Sequence, residues 1–107
     1  MPLVLFKLRC GVIYTDTFAA YVKRIHSEQA AEHPGQILTL DYIRAGHGHG
    51  PERGRAWWHV HWLPEEVAPD YRRFAMGEVT VHLPKSAQEG LRERCLDYAD
   101  GGVVVRP

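Results

Sequence analysis

Apolar and polar residues alternate with period two at two places in the chain, and each place predicts a half-buried β-strand, because successive side chains on a strand point to opposite faces. In residues 57–62, Trp58, Val60 and Trp62 fall on one face and Trp57, His59 and His61 on the other. In residues 77–83, Val79, Val81 and Leu83 face inward while Glu78, Thr80 and His82 face out. A third strand is expected over 37–45, with Leu38, Leu40 and Tyr42 on one side and Ile37, Thr39, Asp41 and Ile43 on the other. Helical spacing governs 17–32 instead, where Phe18, Val22 and Ile25 form one stripe and Lys23, Arg24, Glu28 and Glu32 the opposite face. Thr15-Asp16-Thr17 supplies the helix N-cap, and His33-Pro34-Gly35 stops the helix by removing a backbone donor and allowing a sharp turn.

The remaining segments complete a β-rich pattern. Residues 3–14 read as one strand in which Gly11 marks a bulge. Residues 63–75, with Pro64, Pro69 and several charges, read as an irregular crossover anchored by Tyr71 and Phe74. Ser86-Ala87-Gln88-Glu89 has the spacing of a capping box and opens a short helical turn that Gly90 keeps short. Asp100-Gly101-Gly102 predicts a hairpin turn before a last strand over 103–105. The expected architecture is a small, mostly β α+β domain covering 1–107, ordered strand, helix, then a run of strands.

Charge narrows the choice of partners. Thirteen basic and thirteen acidic residues cancel, and neither sign forms a block, which argues against a nucleic-acid or anionic-membrane partner. Near-zero net charge leaves a homodimer or another protein partner unopposed by self-repulsion. Cys10 and Cys95 are too few for a disulfide scaffold or a four-thiolate metal site and are expected as buried free thiols. The sequence contains no secretory leader pattern and no apolar run of membrane-spanning length, so a cytoplasmic location is expected.

The candidate chemistry is concentrated in residues 46–62, which hold four of the seven histidines and all three tryptophans. His59-x-His61 on a strand sets two imidazoles on one face, within reach of a common zinc, iron or nickel ion. The glycines around His47 and His49 allow that loop to fold back and bring two more imidazoles to the same point. His26 and His33 are expected on the surface without a role. Two alternatives use the same region. Gly54, His59, His61 and Glu65 look partly like the first metal motif of the cupin family, which would make the protein a metal-dependent enzyme. Trp57 beside the histidines would suit a protein-interaction module. No serine or cysteine nucleophile with an identifiable base is readable, and 46–50 lacks the lysine and following helix of a phosphate-binding loop.

Gly77-Glu78-Val79-Thr80-Val81, Pro84-Lys85-Ser86, Leu91, Leu96-Asp97-Tyr98, Gly101-Gly102 and Pro107 together resemble the C-terminal half of the HesB-like, or A-type iron–sulfur carrier, family. Thr15-Asp16-Thr17-Phe18-Ala19-Ala20 is similar to the helix-opening segment of that family, and Leu38-Thr39-Leu40 to its first long strand. The resemblance implies a HesB-like fold and a non-catalytic role in handling metal. The family's ligands are a cysteine in its glycine-rich loop and a later Cys-x-Cys pair. Here the matching loop is Gly46-His47-Gly48-His49-Gly50, no Cys-x-Cys occurs, and no ligand transfers onto Cys10 or Cys95. The expectation is therefore a single ion held by His47, His49, His59 and His61 rather than a cluster.

Overall fold

The computed structural model describes residues 4–43 and 57–107. Its first elements come from the segment expected as a single strand, which is instead two strands separated by a turn. Strand β1 (Leu5–Lys7) runs antiparallel to β2 (Ile13–Thr15). The chain reverses between them through Leu8–Arg9–Cys10–Gly11, with the Leu8 amide bonded to the Val12 carbonyl at 2.8 Å and Gly11 at φ 98°. Gly11 is thus a reversal and not a bulge, and a side chain there would be strained by the left-handed backbone and crowded by Arg92.

Helix α1 (Asp16–Gln29) follows directly. Thr15 is its N-cap: the hydroxyl accepts the Phe18 amide at 3.0 Å and donates to the Asp97 carboxylate at 2.8 Å. The expected stripe of Phe18, Val22 and Ile25 is the buried face. A single 3₁₀ turn, Ala30–Glu32, ends the helical segment ahead of Pro34 and Gly35.

Strands β3 (Gln36–Ile43) and β4 (Trp57–Pro64) pair antiparallel over eight residues each. The crossover expected to be irregular contains one 3₁₀ turn, Glu65–Val67, and then a real strand, β5 (Arg72–Met76). It pairs with β6 (Val79–Leu83). Sequence pattern conceals β5 because it is an edge strand whose exposed Arg72 and Arg73 leave only Phe74 and Met76 on the apolar side. Helix α2 (Lys85–Gly90) has Pro84 as its N-cap, with no side-chain cap, so the Ser86–Glu89 spacing does not form a capping box. Strand β7 (Cys95–Ala99) and β8 (Gly102–Arg106) close the fold as a hairpin. Its two-residue turn puts Asp100 at φ 54° and Gly101 at φ 78°, the positive values that match the twist of the flanking strands.

The described strands form two mixed four-stranded sheets, ordered β1-β2-β7-β8 and β4-β3-β6-β5. Parallel pairs, β2 with β7 and β3 with β6, lie at the centre of each. Buried residues of both sheets and of α1 make one apolar cluster, which includes Val12, Phe18, Leu40, Leu83, Leu91 and Leu96. The domain is α+β and mostly β. No helix among the described residues is long and apolar enough to cross a membrane.

Alternation decides the outer face of the second sheet. Leu38, Leu40, Val60, Val79, Val81 and Leu83 are buried in the core, which turns Thr39, Asp41, His59, His61, Thr80 and His82 to the opposite face. Trp58 and Trp62 share the core side and pack against the cluster while remaining partly accessible. Tyr42, on the same side, has passed the margin of the core and is exposed, its ring 4.9 Å from that of Trp58.

Candidate functional site: an Asp–His pair on the outer sheet face

The polar face of β3 and β4 carries a connected hydrogen-bond network. Register sets His59 directly opposite Asp41 and His61 directly opposite Thr39. The side chains nevertheless pair on the diagonal, with His61 Nε2 2.5 Å from Asp41 Oδ2. Such diagonal neighbours on a sheet are within reach of long side chains. The other carboxylate oxygen accepts the Tyr71 hydroxyl at 2.6 Å, delivered from the segment between Ala68 and β5. The fully buried Thr39 hydroxyl lies 3.1 Å from Asp41 Oδ2 and 3.1 Å from the His61 carbonyl, so its single proton serves the space between them.

These partners account for the electrostatics of the site. Burial pushes the Asp41 carboxyl upward, but the hydrogen bonds from His61 and Tyr71, the charge of His61 and the Thr39 hydroxyl outweigh it and hold the group below its ordinary value. Tyr71 moves the other way: burial, the bond to Asp41 and the carboxylate's charge all raise its phenol. Asp41 is therefore an ionised carboxylate at neutral pH that can only accept. The proton in its bond to His61 resides on Nε2, which leaves Nδ1 as the one ring nitrogen that can offer a lone pair.

His59 lies two residues along the same face, with its ring centre 5.1 Å from that of His61. Two imidazoles bound to one tetrahedral ion at about 2.0–2.1 Å place their ring centres about 5 Å apart. Beside the pair, a cleft of about 550 Å³ runs between β4 and the second half of α1, walled by Gln29, His33, His59, His61 and Trp62. Its floor is held by an indole bond from Trp62 Nε1 to Gln29 Oε1 at 3.0 Å and by the His33 ring stacked on Trp62 at 5.1 Å. His33 is thus half-buried against an aromatic and not a loose surface residue, whereas His26 is exposed as expected.

Of the expected metal ligands, the structure places His59 and His61 together on one face. His47 and His49 lie outside the described residues, as does the side chain of Trp57. Among the described residues no group of three or more His, Cys, Asp and Glu is arranged to hold a metal ion. His82 is separated from the pair by β3, opposite Thr39, and its Nδ1 donates to the Leu38 carbonyl at 3.3 Å. Glu65, required by the cupin-like reading, is exposed in the 3₁₀ turn after β4 and makes no ion pair with either imidazole. Cys10 and Cys95 are half-buried free thiols, one in the β1–β2 turn and the other at the start of β7.

Asp41 and Tyr71 were not legible as site residues. The one signal in the sequence was Thr39 and Asp41 at period-two spacing in an otherwise apolar strand, which marks a polar face without naming its partner. A second half-buried carboxylate, Asp97, is structural. It accepts from Thr15, the Tyr98 amide and Arg106, the last at 3.0 Å, and so ties the start of α1 to the β7–β8 hairpin. Burial raises its carboxyl, and these three donors with the Arg106 charge bring it below the ordinary value.

No family model matches the chain, and no curated protein or solved structure compared with it matches either.

Proposed function

We propose that the protein binds a divalent metal ion, zinc, iron or nickel, in a non-catalytic role in the cytoplasm. His59 and His61 are its ligands on the sheet, and His47 and His49 its ligands from the glycine-rich loop. The observation that carries this reading is the carboxylate of Asp41 on His61 Nε2. Metal-bound histidines commonly give their second ring nitrogen to a carboxylate, which fixes the tautomer, orients the ring and strengthens the ligating nitrogen. Here the bond presents Nδ1 as the ligating atom. Tyr71 and Thr39 hold the carboxylate in turn, so the ring has little freedom to lose when an ion binds.

The HesB-like relationship belongs to the same proposal and rests on the residues that resemble that family. Replacement of its loop cysteine by imidazoles favours one ion over an iron–sulfur cluster. Calorimetric titration of the protein, stripped with chelator, with Zn²⁺ and Ni²⁺ tests the proposal. Saturable binding at micromolar or lower concentration, abolished by His61→Ala and weakened by His47→Ala, is expected. Absence of saturable binding up to the millimolar range overturns it.

A further inference from the structure

The other end of the second sheet carries a cleft unrelated to the imidazoles. It has a volume of about 350 Å³ and is walled by two runs of three consecutive residues, Lys7, Leu8 and Arg9 on one side and Arg73, Phe74 and Ala75 on the other. Three of the six are cations and none is an acid. Arg9 and Arg73 are exposed and have no ion-pair partner among the described residues. Lys7 is tethered to Glu93 at 3.0 Å, with both side chains more than half exposed, so solvent screens that pair and an incoming anion competes with it. The floor is apolar: Leu8 is 7 % exposed, and Phe74 is half-buried against the core.

One wall is a strand edge, β5, and the other starts at Lys7, the last residue of β1, and continues into the turn through Leu8 and Arg9. Among the described strands, β5 ends one sheet and β1 ends the other, and each has a neighbour on one side alone. An edge strand presents backbone donors and acceptors that an added strand can satisfy. Just beyond the cleft, Val4, Leu5 and Phe6 are exposed at 46 %, 52 % and 44 %, an apolar run on the edge strand itself. Open edges, an apolar floor and unpaired guanidiniums occur together. This combination selects an extended chain with carboxylates on one face and apolar side chains on the other.

We propose that this cleft is a docking groove for an extended acidic segment of a partner protein, laid along β5 with its carboxylates on Arg9 and Arg73. Charge complementarity chooses the occupant. A nucleic acid would also meet the cations, but the groove is short, is bounded along β5 by a backbone edge, and belongs to a chain with no net charge. A second copy of this chain brings no acidic edge strand: β1, β4, β5 and β8 together carry no Asp or Glu.

The test is fluorescence anisotropy with a labelled decapeptide of alternating glutamate and valine against the full chain. Saturable binding that weakens with added salt is expected. Arg9→Gln and Arg73→Gln should each weaken it about tenfold, while Lys23→Gln, paired with Glu78 and absent from the walls of the cleft, leaves it unchanged. Amide shift mapping on the unmodified protein provides a reading that needs no variant, with changes expected at 7–9 and 73–75. Equal binding of the glutamine–valine peptide, shifts confined to other strands, or no saturable binding overturns the proposal. Tighter binding of an oligothymidylate at the same residues overturns it in favour of a nucleic-acid groove.

Discussion

Asp41 and His61 sit on adjacent strands, yet they are not partners in the β3–β4 ladder. Asp41 bonds to the imidazole two ladder positions further along, 2.5 Å away, although His59 is its direct partner in the register. This diagonal gives the two histidines different surroundings although they are two residues apart. One is held by a carboxylate, and the other is exposed at the rim of the cleft.

Replacing that carboxylate by an amide should separate its effect on the metal from its effect on the fold. Asp41→Asn preserves the volume and removes the charge, so affinity for Zn²⁺ is expected to fall about 10–100-fold while binding stays saturable. Competition against a zinc-sensitive dye measures the change. Unaltered affinity would remove the reason for assigning the pair to metal binding.

Tyr71→Phe deletes one hydroxyl that donates to a mostly buried carboxylate. The oxygen it leaves behind has no other donor among the described residues, so the loss should be about 1–3 kcal/mol. Thermal denaturation is expected to shift down by about 4–8 °C per kcal/mol for a domain of this size. A midpoint within a degree of the parent would mean that solvent already serves Asp41.

Thr15→Ala removes an N-cap and a donor to Asp97 in one step. The cap alone contributes about 1 kcal/mol, and the lost hydrogen bond to Asp97 Oδ1, which keeps the Tyr98 amide as donor, adds about 0.5–1.5 kcal/mol. Thr15→Ser keeps both bonds and should retain most of the stability. Urea unfolding of the two variants compares them directly, and equal losses would show that the methyl group matters more than the hydroxyl.

Acid should unfold the protein through Asp41 and Asp97. Both carboxyls are held below their ordinary value in the folded state. Above that ordinary value, about 3.9 for an aspartate, their contribution is fully present. It is lost as the pH falls through the lowered folded-state values, because the unfolded chain takes up protons first. Urea midpoints measured from neutral pH into the acid range should fall steeply for the parent and less steeply for Asp97→Asn. Parallel acid limbs would show that Asp97 titrates alike in both states.

Local patterns in the sequence were sufficient to find α1, β3, β4, β6 and the β7–β8 turn. Each has a period or turn chemistry that neighbours along the chain impose: Phe18, Val22 and Ile25 for the helix, Val79, Val81 and Leu83 for a strand, Asp100-Gly101 for the reversal. The same alternation correctly put Trp58, Val60 and Trp62 toward the core and His59 and His61 away from it. Three strands escaped the pattern. β5 hid behind its arginines, and β1 and β2 merged into one apparent strand because the turn between them contains Leu8 and Val12, both needed by the core.

Which polar groups meet depends on contacts far apart in the chain. Asp41 reaches His61 across 20 positions and Tyr71 across 30, and Thr15 reaches Asp97 across 82. Strand periodicity tells a side chain which face to occupy, but it says nothing about which strand lies next to it. That neighbour is set by pairing and burial of the whole sheet, where ladder bonds and apolar contacts far outnumber any single polar contact. Local alternation assigned the faces; packing of the two sheets made one of those faces carry a carboxylate bound to an imidazole.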